Sequence, residues 1–428
     1  MTLAAVPSDV FAELARTRPL PLATEALRAA LHARRMLLVK SLLVRVERRR
    51  DQLTSSALRR FEKDWALLER AEESDAGAVR GVVDYPMTGA WLAETLAAPD
   101  AAAFQRHLAH LRGVAIVAAV RAGHEVSGTF TVRAGTLVLP GLGVLRCPSG
   151  RARLSGGGGG VEITDDSDRG GVVPPRSFAR VGSGGQRPAA GGPGWLGLRR
   201  LPGSSVVVDD LDPYRVPSYG VGPDALPAGE HSPSAHRHWV RCWREAHRLL
   251  VATDPGRAVE VGALVRALVP LAPAGQAVAV PTSATSRAAP GAVLTQLPDD
   301  ARELAECLVH ETHHTKLAAL HESVPLYHQG EGALHRVGWR TDLRPVPGVL
   351  QGAYAHLALT DLWWRARNGR ATTWRRRAES RFDNYREQVG EALSILLESD
   401  ELTIAGRQFV REMSRHHMSL GLLARHSR

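Results

Sequence analysis

Apolar residues recur at helical spacing along the first part of the chain. Residues 22–48 carry leucines on positions that fall together on a helix surface, and residues 58–71 continue the same pattern. A third stretch, residues 101–122, contains the almost entirely apolar run 114–120. The first two stretches predict amphipathic helices, and the third predicts one long helix that is buried on all sides.

The apolar period changes after residue 127, where apolar and polar residues begin to alternate. Residues 128–133 and 135–145 predict the two strands of a hairpin, with Ala134 and Gly135 in the turn. The pattern therefore predicts that a small β-sheet follows the N-terminal helices.

Residues 148–205 are dominated by Gly, Pro, Ser and Arg, and residues 156–160 are five consecutive glycines. This composition predicts a flexible insertion, and long loops of this kind sometimes serve as lids over active sites. The glycines do not form a phosphate-binding loop, because no Lys-Ser/Thr pair follows them at the start of a helix.

Helical spacing returns in the second half of the chain. We expect mixed strand and loop over residues 257–271, and strands at residues 277–280 and 292–297. Helices are predicted over residues 234–253, 299–320, 373–397 and 405–422, and one further helix starts near residue 349.

The expected fold class is mainly α with a small β-sheet (α+β), in which the helix over residues 299–320 packs against the downstream helix at a metal site. We expect an N-terminal helical region with a β-hairpin (residues 1–147), the flexible insertion (148–205) and a metal-binding catalytic region (206–428).

Length and composition indicate a globular protein. The chain has 428 residues, of which 44% are hydrophobic, enough to bury a sizeable core in two closely associated lobes. No charged N-terminal segment leads into an apolar stretch, and no run approaches the roughly 18–20 apolar residues that a membrane helix needs. Cys147, Cys242 and Cys307 are scattered without the spacing of a disulfide framework or a thiolate zinc site. We therefore expect a cytoplasmic protein with no membrane partner.

The formal net charge is +10, and almost all of the basic residues are arginines. The arginines are spread through alanine-rich segments, whereas nucleic-acid binders often concentrate their basic residues in one patch. This distribution is evidence against a nucleic-acid partner. An acidic peptide would be attracted equally well by the same charge.

The most informative motif is the sequence HETHH at residues 310–314, inside the helix predicted over residues 299–320. His310 and His314 are four positions apart, so both imidazoles lie on one helix face and can reach one metal ion. Glu311 turns toward the edge of the same site. The alternative is a helix with two surface histidines and no metal.

The neighbouring histidines do not complete this site. His313 lies on another face of the helix, so it belongs either around the site or in solvent. His321 is seven residues beyond His314, about 10 Å along the helix axis, which is too far for the same ion.

The position of a third ligand distinguishes the known classes of HExxH enzyme. A metzincin needs Gly and His where this chain has Leu317 and Leu320, so that class is excluded. A thermolysin-like site would take a Glu from a following helix, and the suitably spaced Glu331 lies in a Gly-rich sequence typical of a loop. That class is therefore weakened.

Polar residues cluster downstream of the motif, in the sequence WRTDLRP at residues 339–345, directly before an apolar helix. His356 interrupts the apolar run of that helix. A buried His needs a partner, which is either a metal ion or another group of the protein core.

Three segments together resemble the HExxH-type peptide β-hydroxylases. They are the helix that ends in LVHExxH, the WRxDxRP segment and the sequence GVLQGAYAH at residues 348–356. The resemblance also takes in residues 137–143 and the N-terminal helices. Members of this family use iron and 2-oxoglutarate to modify ribosomally made precursor peptides in natural-product pathways, and some are fused to a radical-SAM enzyme.

The resemblance implies a non-haem iron dioxygenase, an oxidoreductase that uses Fe(II), 2-oxoglutarate and O₂. His310 and His314 would bind the iron with His356 as the third ligand, and Asp342 is the second candidate. Arg344 would bind the distal carboxylate of 2-oxoglutarate through its planar guanidinium, with Arg340 as the second choice. Both arginines could instead form structural ion pairs.

The resemblance also implies a precursor peptide as substrate and a radical-SAM peptide-modifying enzyme of the same pathway as a partner. Glu311 is the candidate catalytic residue whose role differs most between readings of the motif. In a zinc peptidase it would be the general base on metal-bound water. In a hydroxylase it would position a ligand, water or substrate. A peptide-binding protein with a degenerate site is the remaining alternative.

Overall fold

The computed structural model describes residues 7–132, 135–157, 160–166, 170–173, 194–230, 232–273, 282–330, 332–369 and 374–426. Helices predominate and the sheets are small, so the predicted α+β class, mainly α, is confirmed. The chain divides into two compact units. The first unit comprises Met1–Leu31, Arg237–Val265 and Pro298–Arg428, and the second comprises His32–His236 and Arg266–Leu297.

Seven helices are described before residue 122: α1 (Ser8–Ala15), α2 (Pro21–Arg48), α3 (Ser55–Ser74), α4 (Ala76–Val83), α5 (Pro86–Ala97), α6 (Ala101–Leu108) and α7 (Leu111–Arg121). Helices α2 and α3 confirm the first two predicted helices. Thr54 caps α3 by accepting a hydrogen bond from the backbone N–H of Ala57. The short helices α1, α4 and α5 were not predicted.

The long helix predicted over residues 101–122 is wrong, because the chain breaks between α6 and α7. The indole Nε1 of Trp91 donates a 2.7 Å hydrogen bond to the carbonyl of His107. In a continuous helix that carbonyl would accept from Leu111. Helix α7 then packs so closely on the following strand that a Cβ at Gly113 would lie 1.9 Å from the carbonyl oxygen of Val138.

Two antiparallel sheets follow α7 in the second unit. Their strands are β1 (Gly128–Thr131), β2 (Thr136–Leu139), β3 (Gly143–Arg146), β4 (Arg151–Gly157), β5 (Gly160–Asp165), β6 (Gly170–Val173) and β7 (Trp195–Gly197). One sheet has the order β1-β4-β5-β6 and the other has the order β2-β3-β7.

The predicted hairpin is wrong, because β1 pairs with β4 and β2 pairs with β3. The tight turn between β2 and β3 falls at Pro140 and Gly141, where Gly141 has a φ of +74° that only glycine adopts readily. Of the predicted turn residues, Ala134 lies outside the described residues.

The flexible-insertion prediction is also wrong for residues 151–157 and 160–165, which form β4 and β5. Ala152 and Leu154 of β4 and Val161 and Ile163 of β5 are buried at alternate positions. This period of two is present in the sequence, but the surrounding glycines and arginines obscured it. Residues 174–193 of the same segment lie outside the described residues.

A mixed sheet completes the second unit, with strands β8 (Arg199–Arg200), β9 (Val207–Val208), β10 (Ala267–Pro270), β11 (Ser283–Ala284) and β12 (Ala292–Thr295). The central β10 runs parallel to both β9 and β12. Strand β12 confirms the prediction for residues 292–297, whereas residues 277–280 lie outside the described residues.

Among the described residues, the first unit contains α1, the start of α2 and six later helices, of which α8 begins shortly before the unit's segment at Arg237. These helices are α8 (Pro233–Thr253), α9 (Pro255–Leu264), α10 (Ala301–Ser323), α11 (Val346–Asn368), α12 (Arg375–Glu398) and α13 (Ile404–His426). Two short strands, β13 (Leu334–His335) and β14 (Arg344–Pro345), pair before α11. The helices α8 and α10 to α13 confirm five predicted helices. Residues 257–271 were predicted as mixed strand and loop, but their first part is helical and belongs to α9.

Local signals and core packing fix α10 and α11. Asp300 caps α10 by accepting hydrogen bonds from the backbone N–H groups of Arg302 and Glu303. On α11, the hydroxyl of Tyr354 donates a 2.7 Å hydrogen bond to the carbonyl of Leu14. The ring of Tyr354 packs at 5.4 Å from that of Phe409. The candidate site therefore lies on two helices that are anchored in the core of the first unit.

Candidate metal site

His310 and His314 converge on one face of α10, as their spacing predicts. Their Nε2 atoms are 2.9 Å apart and their rings are nearly perpendicular, at 88°. Helix geometry brings side chains at i and i+4 together, so the pair needs no long-range contact to form.

A neighbouring helix fixes the orientation of one of these rings. The Nδ1 of His314 lies 3.0 Å from the amide oxygen Oε1 of Gln351 on α11. An amide oxygen accepts hydrogen bonds, so this contact favours the tautomer of His314 that carries its proton on Nδ1 and presents a lone pair at Nε2. The proton in the short Nε2–Nε2 contact then belongs to His310.

The geometry of this pair fits a metal ion. Imidazole nitrogens bind first-row metals at about 2.1 Å, and two such nitrogens at right angles around an ion are about 3.0 Å apart. The observed separation is 2.9 Å. An ion could thus replace the shared proton with little movement of either ring.

Burial keeps the imidazoles of His310 and His356 neutral, which is the form that binds metals. The pKa of His310 lies well below its usual value, first because of burial and then because of His314 and His356. Burial also lowers the pKa of His356 to about 3, against a smaller opposing effect of the Gly352 backbone. Both rings are therefore neutral at neutral pH, and His310 can bind a metal through Nε2 when its one proton moves to Nδ1.

His356 lies in an aromatic pocket beside the pair. Its ring centroid is 5.2 Å from that of His310, 4.5 Å from that of Trp339 and 5.1 Å from that of Tyr385. Trp339 approaches α11 at Gly352, where a Cβ would lie 2.6 Å from the indole ring. Gly352, Trp339 and His356 therefore form one packed group on the side of α11 that holds His356.

Within the described ranges, no three His, Cys, Asp or Glu side chains are grouped closely enough to hold one ion. His310 and His314 form a pair with a third imidazole nearby. The assignment of His356 as the third ligand stays a prediction, and it requires that the ring turn within its aromatic pocket. Glu331, the alternative for a thermolysin-like site, lies outside the described residues.

Asp342, the second candidate for third ligand, is engaged elsewhere. It accepts hydrogen bonds from Arg340, at 2.7 Å, and from Arg344, at 3.2 Å, and its side chain is 50% exposed. The hydrogen bond from Arg340, followed by the one from Arg344, lowers the pKa of Asp342 to about 2. The ion pairs that the sequence left open as an alternative are therefore present.

The two candidate cosubstrate-binding arginines remain accessible in spite of these contacts. Arg340 and Arg344 have side chains that are 40% and 39% exposed. Arg344 lies against the first turn of α11, where a Cβ at Gly348 would come within 3.1 Å of its Nε. A carboxylate ligand could compete with Asp342 for either guanidinium.

Glu311 and His313 of the motif are both buried. Glu311 is 1% exposed. His313 is fully buried, so the solvent alternative for His313 is wrong. Its Nδ1 donates to the carbonyl of Val309, and its Nε2 accepts from Arg257. His313 therefore turns away from the His310–His314 pair, as its spacing indicates.

Sequence reasoning missed a buried charged cluster on this other side of α10. The guanidinium of Arg257, which is 0% exposed, donates to Asp361 at 2.8 Å and to His313 at 3.2 Å. Nearby, the ammonium of Lys316 donates to Glu260 at 2.6 Å. Lys316 is one of only three lysines in the chain and lies two positions after the motif, which was the available signal.

Glu306 is a second acid that sequence reasoning missed, one helical turn before His310. It forms ion pairs with Arg377, at 3.4 Å, and Arg381, at 3.9 Å, both on α12. Burial raises the pKa of Glu306, and the two arginines oppose that shift. Glu306 is four positions before His310, and Arg377 is four positions before Arg381. These two spacings were the available signal in the sequence.

No protein-family model and no curated protein matches this chain. Among the helices of the described residues, none combines the length and the apolar character required to cross a membrane.

Proposed function

We propose that this protein is an Fe(II)- and 2-oxoglutarate-dependent dioxygenase that hydroxylates the β-carbon of a side chain in a ribosomally synthesised precursor peptide. The observation that carries the proposal is the convergence of the His310 and His314 Nε2 atoms at 2.9 Å on a partly buried helix face. The resemblance of three separate segments to the HExxH peptide β-hydroxylases supports iron rather than zinc as the metal.

His310 and His314 would hold the iron through Nε2, and His356 would be the third ligand. Gln351 keeps the proton of His314 on Nδ1 and so directs the lone pair of Nε2 toward the metal. Bound iron, with 2-oxoglutarate and O₂, supplies the oxidising chemistry that converts a C–H bond to C–OH. One oxygen atom enters the peptide and the other enters succinate, while CO₂ is released.

Arg344 would hold the distal carboxylate of 2-oxoglutarate by exchanging Asp342 for the ligand. The guanidinium fork matches a carboxylate in two parallel hydrogen bonds, which favours this exchange. Arg340 is the second candidate for the same role. Asp342 would then serve to keep the guanidinium groups in position before the cosubstrate arrives.

Glu311 would position a ligand, a water molecule or the substrate through hydrogen bonds. A zinc peptidase would instead require Glu311 to accept a proton from metal-bound water. The two roles predict different consequences of replacing the carboxylate by an amide.

The proposal also includes the partners and the location. The substrate would be a precursor peptide attracted by the net charge of +10, and a radical-SAM peptide-modifying enzyme would act in the same pathway. We propose that the protein is cytoplasmic and that it has no nucleic-acid partner.

Metal analysis of chelator-treated protein tests the proposed site. Dialysis against Fe(II) under anaerobic conditions should load the unaltered protein, whereas His310→Ala and His314→Ala should lose the metal and keep their helical circular dichroism. His247→Ala is the matched control, because this exposed histidine lies on α8 outside the site. Full iron occupancy and turnover in either site variant would show the proposed chelate to be wrong.

A further inference from the structure

The second unit contains a cavity of about 260 Å³ with small apolar walls and a few polar groups. Pockets that enclose whole drug-sized ligands measure roughly 300–1,000 Å³, so this one suits a single side chain or a small molecule. Its apolar walls include Ala90, Ala97, Ala98, Pro99 and Ala289.

Glu94 of α5 lines this cavity, and none of the residues described forms an ion pair or a hydrogen bond with its carboxylate. Burial alone raises the pKa of Glu94. The chain has 54 Lys and Arg against 44 Asp and Glu, so cationic partners are plentiful in the sequence. A half-buried carboxylate without one is then the feature expected of a site that takes its cation from outside.

Two further carboxyl groups, those of Asp209 and Asp212, are electrostatically linked to the cavity lining, since Glu94 acts on Asp212 and Asp212 acts on Tyr214. Burial raises the pKa of Asp209, against the opposing effect of the hydrogen bonds that it accepts from Tyr85 and from the backbone N–H groups of Leu211 and Asp212. Burial and the neighbouring Asp209 raise the pKa of Asp212 well above its usual range. The cavity-lining Arg215 donates to the carbonyl of Asp212 at 2.7 Å. The charge of Arg215 acts on Asp209 and Asp212, whereas burial alone shifts the pKa of Glu94.

Hydroxyl groups and aromatic rings complete the lining. The hydroxyl of Tyr214 lies 2.9 Å from Nδ1 of His107, and the hydroxyl of Ser286 also lines the cavity. Tyr219, which is 81% exposed, stands among the lining residues and is open to solvent. An ammonium group has three donors that point in different directions, which suits several separate acceptors, and aromatic rings attract cations.

We propose that the Glu94 cavity binds an aliphatic ammonium group of about the size of a lysine side chain. The carboxylate of Glu94 pairs with the ammonium, and the alanine and proline walls contact the methylene chain. The site stands independently of the proposed oxygenase activity, because none of its residues belongs to the metal site.

Calorimetric titration with n-butylammonium chloride at constant low ionic strength tests the site, with n-butanol as the uncharged comparison. The unaltered protein should bind the amine saturably and the alcohol at least about tenfold more weakly, since charged hydrogen bonds are the stronger ones. Glu94→Gln should weaken amine binding by at least about tenfold. Glu72→Gln, the same change at an exposed position of α3, should leave amine binding unchanged.

A second variant tests the cavity without altering its charge. Ala288→Leu adds a side chain to the lining and should block the amine while the melting temperature shows that the protein remains folded. Equal binding of amine and alcohol, unchanged amine affinity in folded Glu94→Gln, or no saturable binding to the unaltered protein would each overturn the proposal.

Discussion

Buried histidines in this molecule differ in what satisfies their ring nitrogens. His313 has a partner for each nitrogen, Val309 for Nδ1 and Arg257 for Nε2. His110, in contrast, has a buried Nε2 with no hydrogen-bond partner among the described residues. Its ring packs 5.3 Å from that of Trp91 and 5.0 Å from that of Tyr214. In sequence both histidines sit beside apolar helical stretches, so only the tertiary contacts distinguish them.

The first prediction concerns the effect of His110 on the free energy of unfolding at acidic pH. Burial, followed by His107, lowers the pKa of His110 to about 3 from the usual 6.5. As the pH falls below 6.5, His110 binds a proton in the unfolded chain but not in the folded chain, so the folded state loses stability. The slope from this residue is about 1.4 kcal/mol per pH unit.

His110→Phe keeps a ring in place and removes this proton linkage. Its free energy of unfolding, measured with urea, should therefore rise relative to the unaltered protein as the pH is lowered from 7 to 5. A difference between the two proteins that stays constant over this range would contradict the prediction.

A second prediction at the residue scale assigns the cosubstrate contact. Arg344→Ala should raise the KM for 2-oxoglutarate much more than that for peptide, because a lost bidentate ion pair costs about 1.5–3 kcal/mol, or about 10- to 150-fold. Arg336→Ala, at an exposed position before the same segment, is the matched control. An unchanged cosubstrate dependence in Arg344→Ala would assign the role to Arg340 or to another residue.

At the scale of elements, the sequence predicted best those helices whose signals are local. Helix α10 was predicted because its apolar residues repeat at helical spacing. The break between α6 and α7 was missed because it depends on Trp91, 16 residues before the carbonyl that it binds. The strand pairing of β1 with β4 was missed for the same reason, since a nearer turn competed with it.

The candidate site likewise has one part that local sequence spacing predicts and another part that depends on distant contacts. The His310–His314 pair follows from helix spacing alone. The contact of His314 with Gln351 joins residues 37 apart, and that of Arg257 with Asp361 joins residues 104 apart. No periodicity in one sequence relates such positions, so these contacts could not be predicted.

Gly352 is expected to limit the packing of Trp339 against α11. In Gly352→Ala the new Cβ would lie 2.6 Å from the indole, so Trp339 must move away from its place beside His356. Overpacking costs about 1–3 kcal/mol, of which the higher helix propensity of alanine returns up to about 1 kcal/mol. We expect lower stability, altered tryptophan fluorescence and weaker metal binding.

Gly262→Ala is the control for this prediction. Gly262 is on α9 with nothing within 4 Å of its Cβ position, so alanine there should raise stability by up to about 1 kcal/mol. If Gly352→Ala proved as stabilising as Gly262→Ala, the close packing of Trp339 would be wrong.

The buried charged cluster should be essential for the stability of the first unit. Arg257→Met leaves Asp361, which is 1% exposed, without its main cation, and breaking such a buried pair costs about 3–5 kcal/mol. Arg248→Met removes a 74% exposed arginine from α8 and should change the free energy of unfolding by less than about 0.5 kcal/mol. Similar effects of the two variants on chemical unfolding would contradict this role of the cluster.

At the scale of the whole molecule, the net charge of +10 understates the positive charge at the surface, because the buried charged side chains of the described residues include more acids than bases. Arg257 is fully buried in ion pairs, and Arg35, 2% exposed, donates to the carbonyls of Val83 and Tyr85. Arginine in this protein thus serves the core as well as the surface. Attraction of an acidic peptide by the remaining charge is expected to weaken as salt is added.

Mass spectrometry of the precursor peptide after incubation with the protein, Fe(II), 2-oxoglutarate and O₂ is the most direct test of the proposed function. We predict that the peptide gains one oxygen atom on a side-chain β-carbon as succinate forms, and that His310→Ala abolishes both products. Glu311→Gln should retain measurable hydroxylation, because no general base is required. Peptide fragments without added oxygen, formed equally well with zinc under anaerobic conditions and lost in Glu311→Gln, would contradict the account and identify a peptidase.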